Sequence, residues 1–166
     1  MVAYAEKNGL DAEETELWSV TGLLHDADYE RFPDMDDTKN GHPRSIMRHL
    51  ESIDADPRIV RGIATHADFL GVPRESDMEK TLAASDEVSG FIVACAAVRP
   101  TGIHGLTPKS VKKKLKQPSF AAAVSREEIA ENVEALGVDL DEHIRTIVAA
   151  LEARADELEL NGAEAA

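Results

Sequence analysis

The stretch TGLLHDADYE, residues 21–30, ends an apolar run with two adjacent strong metal ligands, His25 and Asp26. An imidazole and a carboxylate side by side in an apolar setting are costly unless something compensates them, and a divalent cation is the usual compensation. Three further residues carry the same chemistry: His42 at the end of a polar segment, His66 at the end of an apolar one, and Asp86 within a segment otherwise built of Ala, Val, Ile and Phe. Imidazoles and carboxylates together suit Fe, Mn, Zn or Mg, and with no thiolate in the set a soft-metal site is not expected. The five residues can hold one ion or two. Asp26, directly after His25, could bridge a pair, with the remaining imidazoles divided between them, which is the arrangement of two-metal hydrolysis. Taken singly, each has an ordinary structural role open to it, such as capping a helix end or pairing with an arginine. It is the set that points to a metal.

Asp26, Asp28 and Glu30 are the catalytic candidates; Asp28, Glu30 and Glu87 are available near the ligands as general acid or base, and the residue types do not choose among them. Glu87 follows Asp86 directly and falls on a different helical face, so a supporting role is expected for it. His49, His104 and His143 lie outside the series and read as surface or packing residues.

Helices must position these groups. Asp11 and Glu14 open a helix over LDAEETELWSVTGLLHD, with Leu17, Val20 and Leu24 on one face, so His25 and Asp26 fall at its C-terminal end. ERFPDMDDTKNGHP is a loop and the one candidate for a flexible linker, with His42 at its end. PRSIMRHLESI and PRIVRGIATHADFLG read as helices that begin at or near a proline, the second closed by His66. Ser76 and Glu79 form a capping box at the start of a long helix that runs to Pro100 and is apolar nearly all round after Leu82, a helix for the middle of a bundle. Thr107 caps the short basic helix TPKSVKKKLKQP. SREEIAENVEALG and DLDEHIRTIVAALEARADELEL follow as amphipathic helices. No repeat or hairpin signature appears.

The chain has 166 residues, 43% of them hydrophobic and only 4% aromatic, which predicts one all-α domain over residues 1–160 with a core of Leu, Ile, Val and Ala. NGAEAA, residues 161–166, is expected to be a loose tail. A net charge of −14 argues against a partner that tracks a nucleic-acid backbone. Cys95 is the single cysteine, so no disulfide framework is expected and a reducing cytoplasm fits. No run is long enough to span a membrane, and MVAYAEKNG lacks the features of a signal peptide.

The ordered series GLLHDADYE, NGHP, ATHAD, MEKTLAASDEVSGFIVACAAVRP and KSVKKKLK resembles the HD-domain superfamily of helical metal-dependent phosphohydrolases, in particular its compact bacterial stand-alone members. The resemblance covers nearly the whole chain. It implies an HD-domain helical bundle in which His25 and Asp26 are the signature pair, Asp86 the closing carboxylate, and His42 and His66 the further ligands of dinuclear members. The family pattern begins with another histidine on the first helix, whereas the first histidine here is His25. MVAYAEKNGLD resembles the second half of that helix, so either a start upstream of Met1 or the loss of one ligand is expected. A missing ligand would weaken metal binding and put two-metal chemistry in question.

Lys109, Lys113 and Lys116 share a helical face by spacing, and Lys112 and Lys114 widen the positive patch. In so acidic a chain this is a landing site for a phosphate, with Arg99 and Arg44 as further contacts. A solvated charged face is the plainer reading of the same run. The expectation is therefore a hydrolase of a small phosphorylated metabolite or nucleotide that uses one or two divalent ions, with neither a nucleic-acid nor a membrane partner. Association with further copies of the chain is compatible with it. A di-iron oxygenase on the same fold is one alternative, and a catalytically impaired module that binds anions through the Lys-rich helix is another.

Overall fold

The computed structural model describes residues 1–163, so part of the expected loose tail, residues 164–166, lies outside the described residues. Eight α-helices and one 3-10 turn occur among the described residues, joined by turns and irregular segments, and no strand occurs among them. The all-α expectation holds. None of these helices is long and apolar enough to cross a membrane. Contacts divide the chain into two compact units, Met1–Ala83 and Ala84–Ala166, and the division falls inside one helix.

The first unit contains α1 (Val2–Lys7), α2 (Ala12–Leu24), α3 (Arg44–Ser52), α4 (Pro57–His66), a 3-10 turn at Asp68–Leu70 and the start of α5 (Asp77–Ala97). Asp11 caps α2 by accepting from the Glu14 amide at 2.9 Å, and Asp56 caps α4 ahead of Pro57 at its first position. The capping box at α5 is closed in both directions, with the Glu79 amide donating to Ser76 and the Ser76 amide to the Glu79 carboxylate. Leu17, Trp18, Ile59, Ile63, Met78 and Leu82 are buried in the core of this unit. Helices α2 and α4 approach closely at Gly62, where an added Cβ would lie 2.8 Å from the Thr21 methyl. Thr21 is fully buried and returns its hydroxyl to the Leu17 carbonyl at 2.8 Å, so its methyl is left to face Gly62.

The segment between α2 and α3, expected to be flexible, is pinned by its own acidic residues. Asp37 accepts from the amides of Lys39 and Asn40, Asp34 accepts from that of Asp36, and Arg44 and Arg48 donate to the Met35 and Lys39 carbonyls. Gly41 is forced by this fold-back, since a Cβ there would fall 1.8 Å from the Asp34 carbonyl oxygen. Asp and Asn residues in a loop can supply the hydrogen bonds that a helix would have supplied.

The second unit contains the rest of α5, α6 (Pro108–Leu115), α7 (Arg126–Leu136) and α8 (Leu140–Glu152). Phe91, Ile92, Ile103, Val111 and Ile144 are nearly fully buried at its centre. Along α5, Gly90, Val93 and Ala97 are exposed, so this helix keeps one small apolar stripe open rather than being covered all round. The amphipathic pattern predicts that α8 continues toward Leu160, but the helix stops at Glu152. The reason is a competing contact: the chain turns so that Leu160 is buried and its carbonyl accepts from the Ile103 amide at 2.8 Å. Between α6 and α7 the backbone is irregular and is gathered by one side chain. Arg126 donates to the carbonyls of Gln117, Phe120, Ala121 and Val124 while its guanidinium lies 5.0 Å from the centre of the Phe91 ring.

Candidate metal centre

Four of the five predicted ligands belong to the first unit, and the fold brings them together. His25 is the residue that ends α2 and His66 the last residue of α4, so the close α2 to α4 packing at Gly62 sets both. Each turns its Nδ1 back on its own helix, His25 to the Gly22 carbonyl at 2.7 Å and His66 to the Ile63 carbonyl. His42 arrives on the pinned loop, is 3% exposed, and directs Nδ1 to Asp28 Oδ1 at 2.7 Å.

These three contacts determine the tautomers. A carbonyl or carboxylate oxygen can only accept, so each Nδ1 carries the proton and each neutral ring offers the lone pair of Nε2. The Nε2 atoms of His42 and His66 are 3.2 Å apart, with the Asp26 Oδ1 atom 3.3 Å from the first and 3.6 Å from the second. Asp26 Oδ2 lies 3.5 Å from His25 Nε2. Two imidazole lone pairs and a carboxylate oxygen facing one another at such distances repel unless a proton or a cation lies among them. Ligands at roughly 2.0–2.2 Å from a common ion stand roughly 3.0–3.5 Å from one another, so Asp26, His42 and His66 have the spacing of a metal site. The donor set fits a divalent ion of the borderline or hard kind.

Asp26 is about half exposed while His42 and His66 are enclosed, so the carboxylate forms the open side of the cluster. When His66 is protonated, its hydrogen bond holds the Asp26 carboxyl below the usual carboxylate range; burial opposes this, and the charges of His25, His66 and His42 reinforce it. The two Asp26 oxygens address different imidazoles.

Asp28 is buried, and both of its oxygens are engaged, Oδ1 by His42 and Oδ2 by the Ile46 amide at 2.9 Å. It orients His42 and is not free to move a proton at the cluster, so its place in the structure is that of a support. Its position two residues after Asp26 carries no signal of that role. Sequence reasoning missed Tyr29, whose ring meets His42 edge-on at 5.2 Å. Glu30 is exposed. Arg44 lies over the Phe69 ring and donates to the Met35 carbonyl.

The remaining predicted residues belong to the second unit. Asp86 is on α5 and is partly buried. Glu87 accepts from the Ser125 amide at the start of α7, and burial raises its carboxyl above the usual range. Arg99, Lys113 and Lys114 line one cavity, whereas Lys109 and Lys116 are exposed and do not line it. His143, fully buried, bonds the Ala84 carbonyl at 2.8 Å, His104 bridges Glu152 and Asn161, and His49 is exposed, which are packing and surface roles as expected. Comparison with protein-family models, with curated proteins and with solved structures returns no match.

Proposed function

We propose that the chain is a metal-dependent hydrolase of the HD type that acts on a small phosphorylated metabolite or nucleotide. The observation that supports this best is the orientation of the three imidazoles: with every Nδ1 committed to an oxygen, the His42 and His66 Nε2 atoms converge on Asp26, and His25 faces its second oxygen. His25, Asp26, His42 and His66 would hold the ion or ions. A divalent ion there supplies Lewis acidity toward a phosphoryl oxygen and lowers the pKa of a bound water. Asp28 keeps His42 in the ligating tautomer, and the half-exposed Asp26 carboxylate is the open side of the cluster.

The test is metal content per chain, by elemental analysis of protein purified without a metal-binding tag, alongside Asp26→Asn and with hydrolysis of p-nitrophenyl phosphate and bis-p-nitrophenyl phosphate as readouts. The expected result is bound metal lost in the variant and phosphoester hydrolysis lost with it. Absence of metal from the wild-type chain after incubation with Mn, Fe, Zn or Mg overturns the reading. Iron with dioxygen-dependent turnover would replace it with the di-iron oxygenase.

A further inference from the structure

The second unit contains a cavity of about 300 Å³ at the junction of the C-terminal end of α5 and one face of α6. Ser110, Lys113, Lys114 and Gln117 follow one another at offsets of three, four and seven, so α6 and the residues after it present them as one stripe. Arg99 lines the same cavity, its guanidinium anchored by the Gly102 and His104 carbonyls. The floor is apolar, formed by Cys95 and Leu106, both buried. Burial raises the Cys95 thiol above its usual range, so the floor carries no negative charge. Among the described residues, no acidic one lines the cavity.

The surrounding chain is equally one-sided. From Val88 to Arg126 there are seven lysines and arginines and no aspartate or glutamate, in a chain whose net charge is −14. Some of these cations have structural work: Lys112 pairs with Asp141, Lys114 lies over the Phe120 ring, and Arg126 gathers four carbonyls. Lys113 has none. It extends beside Lys114 and Arg99 at the cavity, where three like charges repel unless an anion is shared among them. A volume at the small end of ligand cavities, about 300–1,000 Å³, suits a compact ligand better than a polymer.

We propose that this cavity is a binding site for a small organic phosphate, with the phosphate held by Arg99, Lys113 and Lys114, hydrogen-bonded by Ser110 and Gln117, and the carbon body resting on Cys95 and Leu106. The site stands apart from the metal-centre reading and does not depend on it. Its test is calorimetric titration of the full chain with inorganic pyrophosphate at fixed ionic strength and with excess chelator, for the wild type, Lys113→Gln, Lys113→Glu and Asp26→Asn. The expected result is one saturable site per chain, weakened about tenfold in Lys113→Gln, lost in Lys113→Glu and unchanged in Asp26→Asn. Lys113 is exposed, so neither of its variants disturbs folding. The proposal is overturned by an absence of saturable binding at millimolar pyrophosphate, by equal affinity in the two Lys113 variants and the wild type, or by loss of binding in Asp26→Asn. Tighter binding of a single-stranded oligonucleotide than of pyrophosphate would also overturn it, in favour of a polyanion surface.

Discussion

Asp28 and His42 form a buried pair, Oδ1 to Nδ1 at 2.7 Å, and the second Asp28 oxygen is tied to the backbone at Ile46. The carboxylate therefore does two things: it selects the tautomer of His42 and it docks the start of α3. Asp28→Asn keeps the shape but removes the charge that makes the imidazole a good ligand. Metal affinity is expected to fall by about 10–100-fold with helicity retained, as read by competition with a chromogenic chelator and by circular dichroism. Asp28→Ala strands both partners and should cost about 3 kcal/mol in urea unfolding. Unchanged metal affinity in Asp28→Asn would remove the orienting role.

Gly62 sets the distance between the helices that carry His25 and His66. Gly62→Val places branched carbons against the rigid Thr21 methyl and against Met78, and is expected to destabilise the chain by about 1–3 kcal/mol. Because the two helix ends move with the packing, bound metal should decrease in the same variant. Denaturant midpoints and elemental analysis check the two effects separately. A loss of stability with full metal retention would show that the cluster tolerates a shift of α4.

Glu79 closes the capping box of α5 and also meets Arg61 at 2.8 Å. Burial raises its carboxyl, but the amides of Glu75 and Ser76 and the charge of Arg61 outweigh this and leave it below the ordinary 4.5. A depressed carboxyl stabilises the fold fully above its unfolded value, and that contribution is lost as pH falls through the lower, folded value. Glu79→Ala is expected to cost about 1–2 kcal/mol near neutral pH. The gap between variant and wild type should close in acid, which unfolding curves at a series of pH values would reveal. A gap that stays constant through the carboxylate range would contradict the assignment.

His104 ties the end of α8 to the segment after it through Asn161 and Glu152. The Asn161 hydrogen bond, with Glu152 next, raises its pKa above the ordinary 6.5. A raised histidine stabilises fully below its unfolded value, and the contribution fades as pH rises through the folded one. The stability difference between wild type and His104→Ala should therefore be present in mild acid and shrink in mild alkali. Histidine Cε1 proton shifts across the same range would locate the titration directly, and a value at or below the free one would contradict the tie.

The legible parts of this chain were the local ones. Asp11, Ser76 and Thr107 announce helix starts because a cap and its amide partner lie within three residues. His25, His42 and His66 were readable as ligand candidates from type and position, His25 and His66 ending apolar segments and His42 closing the polar loop before Pro43. The distances among them were not readable, because they depend on how closely α2 meets α4 at Gly62. The support role of Asp28 was hidden for the same reason, its partners being 14 and 18 residues away. Helical spacing made Lys109, Lys113 and Lys116 look alike, and only the cavity shared with Arg99 singles out Lys113 among them. The early end of α8 was invisible in its amphipathic pattern, since that pattern serves a helix and a chain folding back onto Ile103 equally well.

Arg126 gives the stretch from Gln117 to Val124 its shape without any repeating hydrogen-bond pattern: four carbonyls converge on one planar fork. Such a stretch is defined by its length as much as by its sequence. One added residue anywhere inside it pushes at least one carbonyl off the guanidinium, so this connection should reject insertions and deletions that an ordinary surface connection of the same size would absorb. Substitutions of the exposed Ser119, Ala122 and Ala123 leave the carbonyls in place and should pass unnoticed. The segment is thus tolerant of spelling and strict about counting.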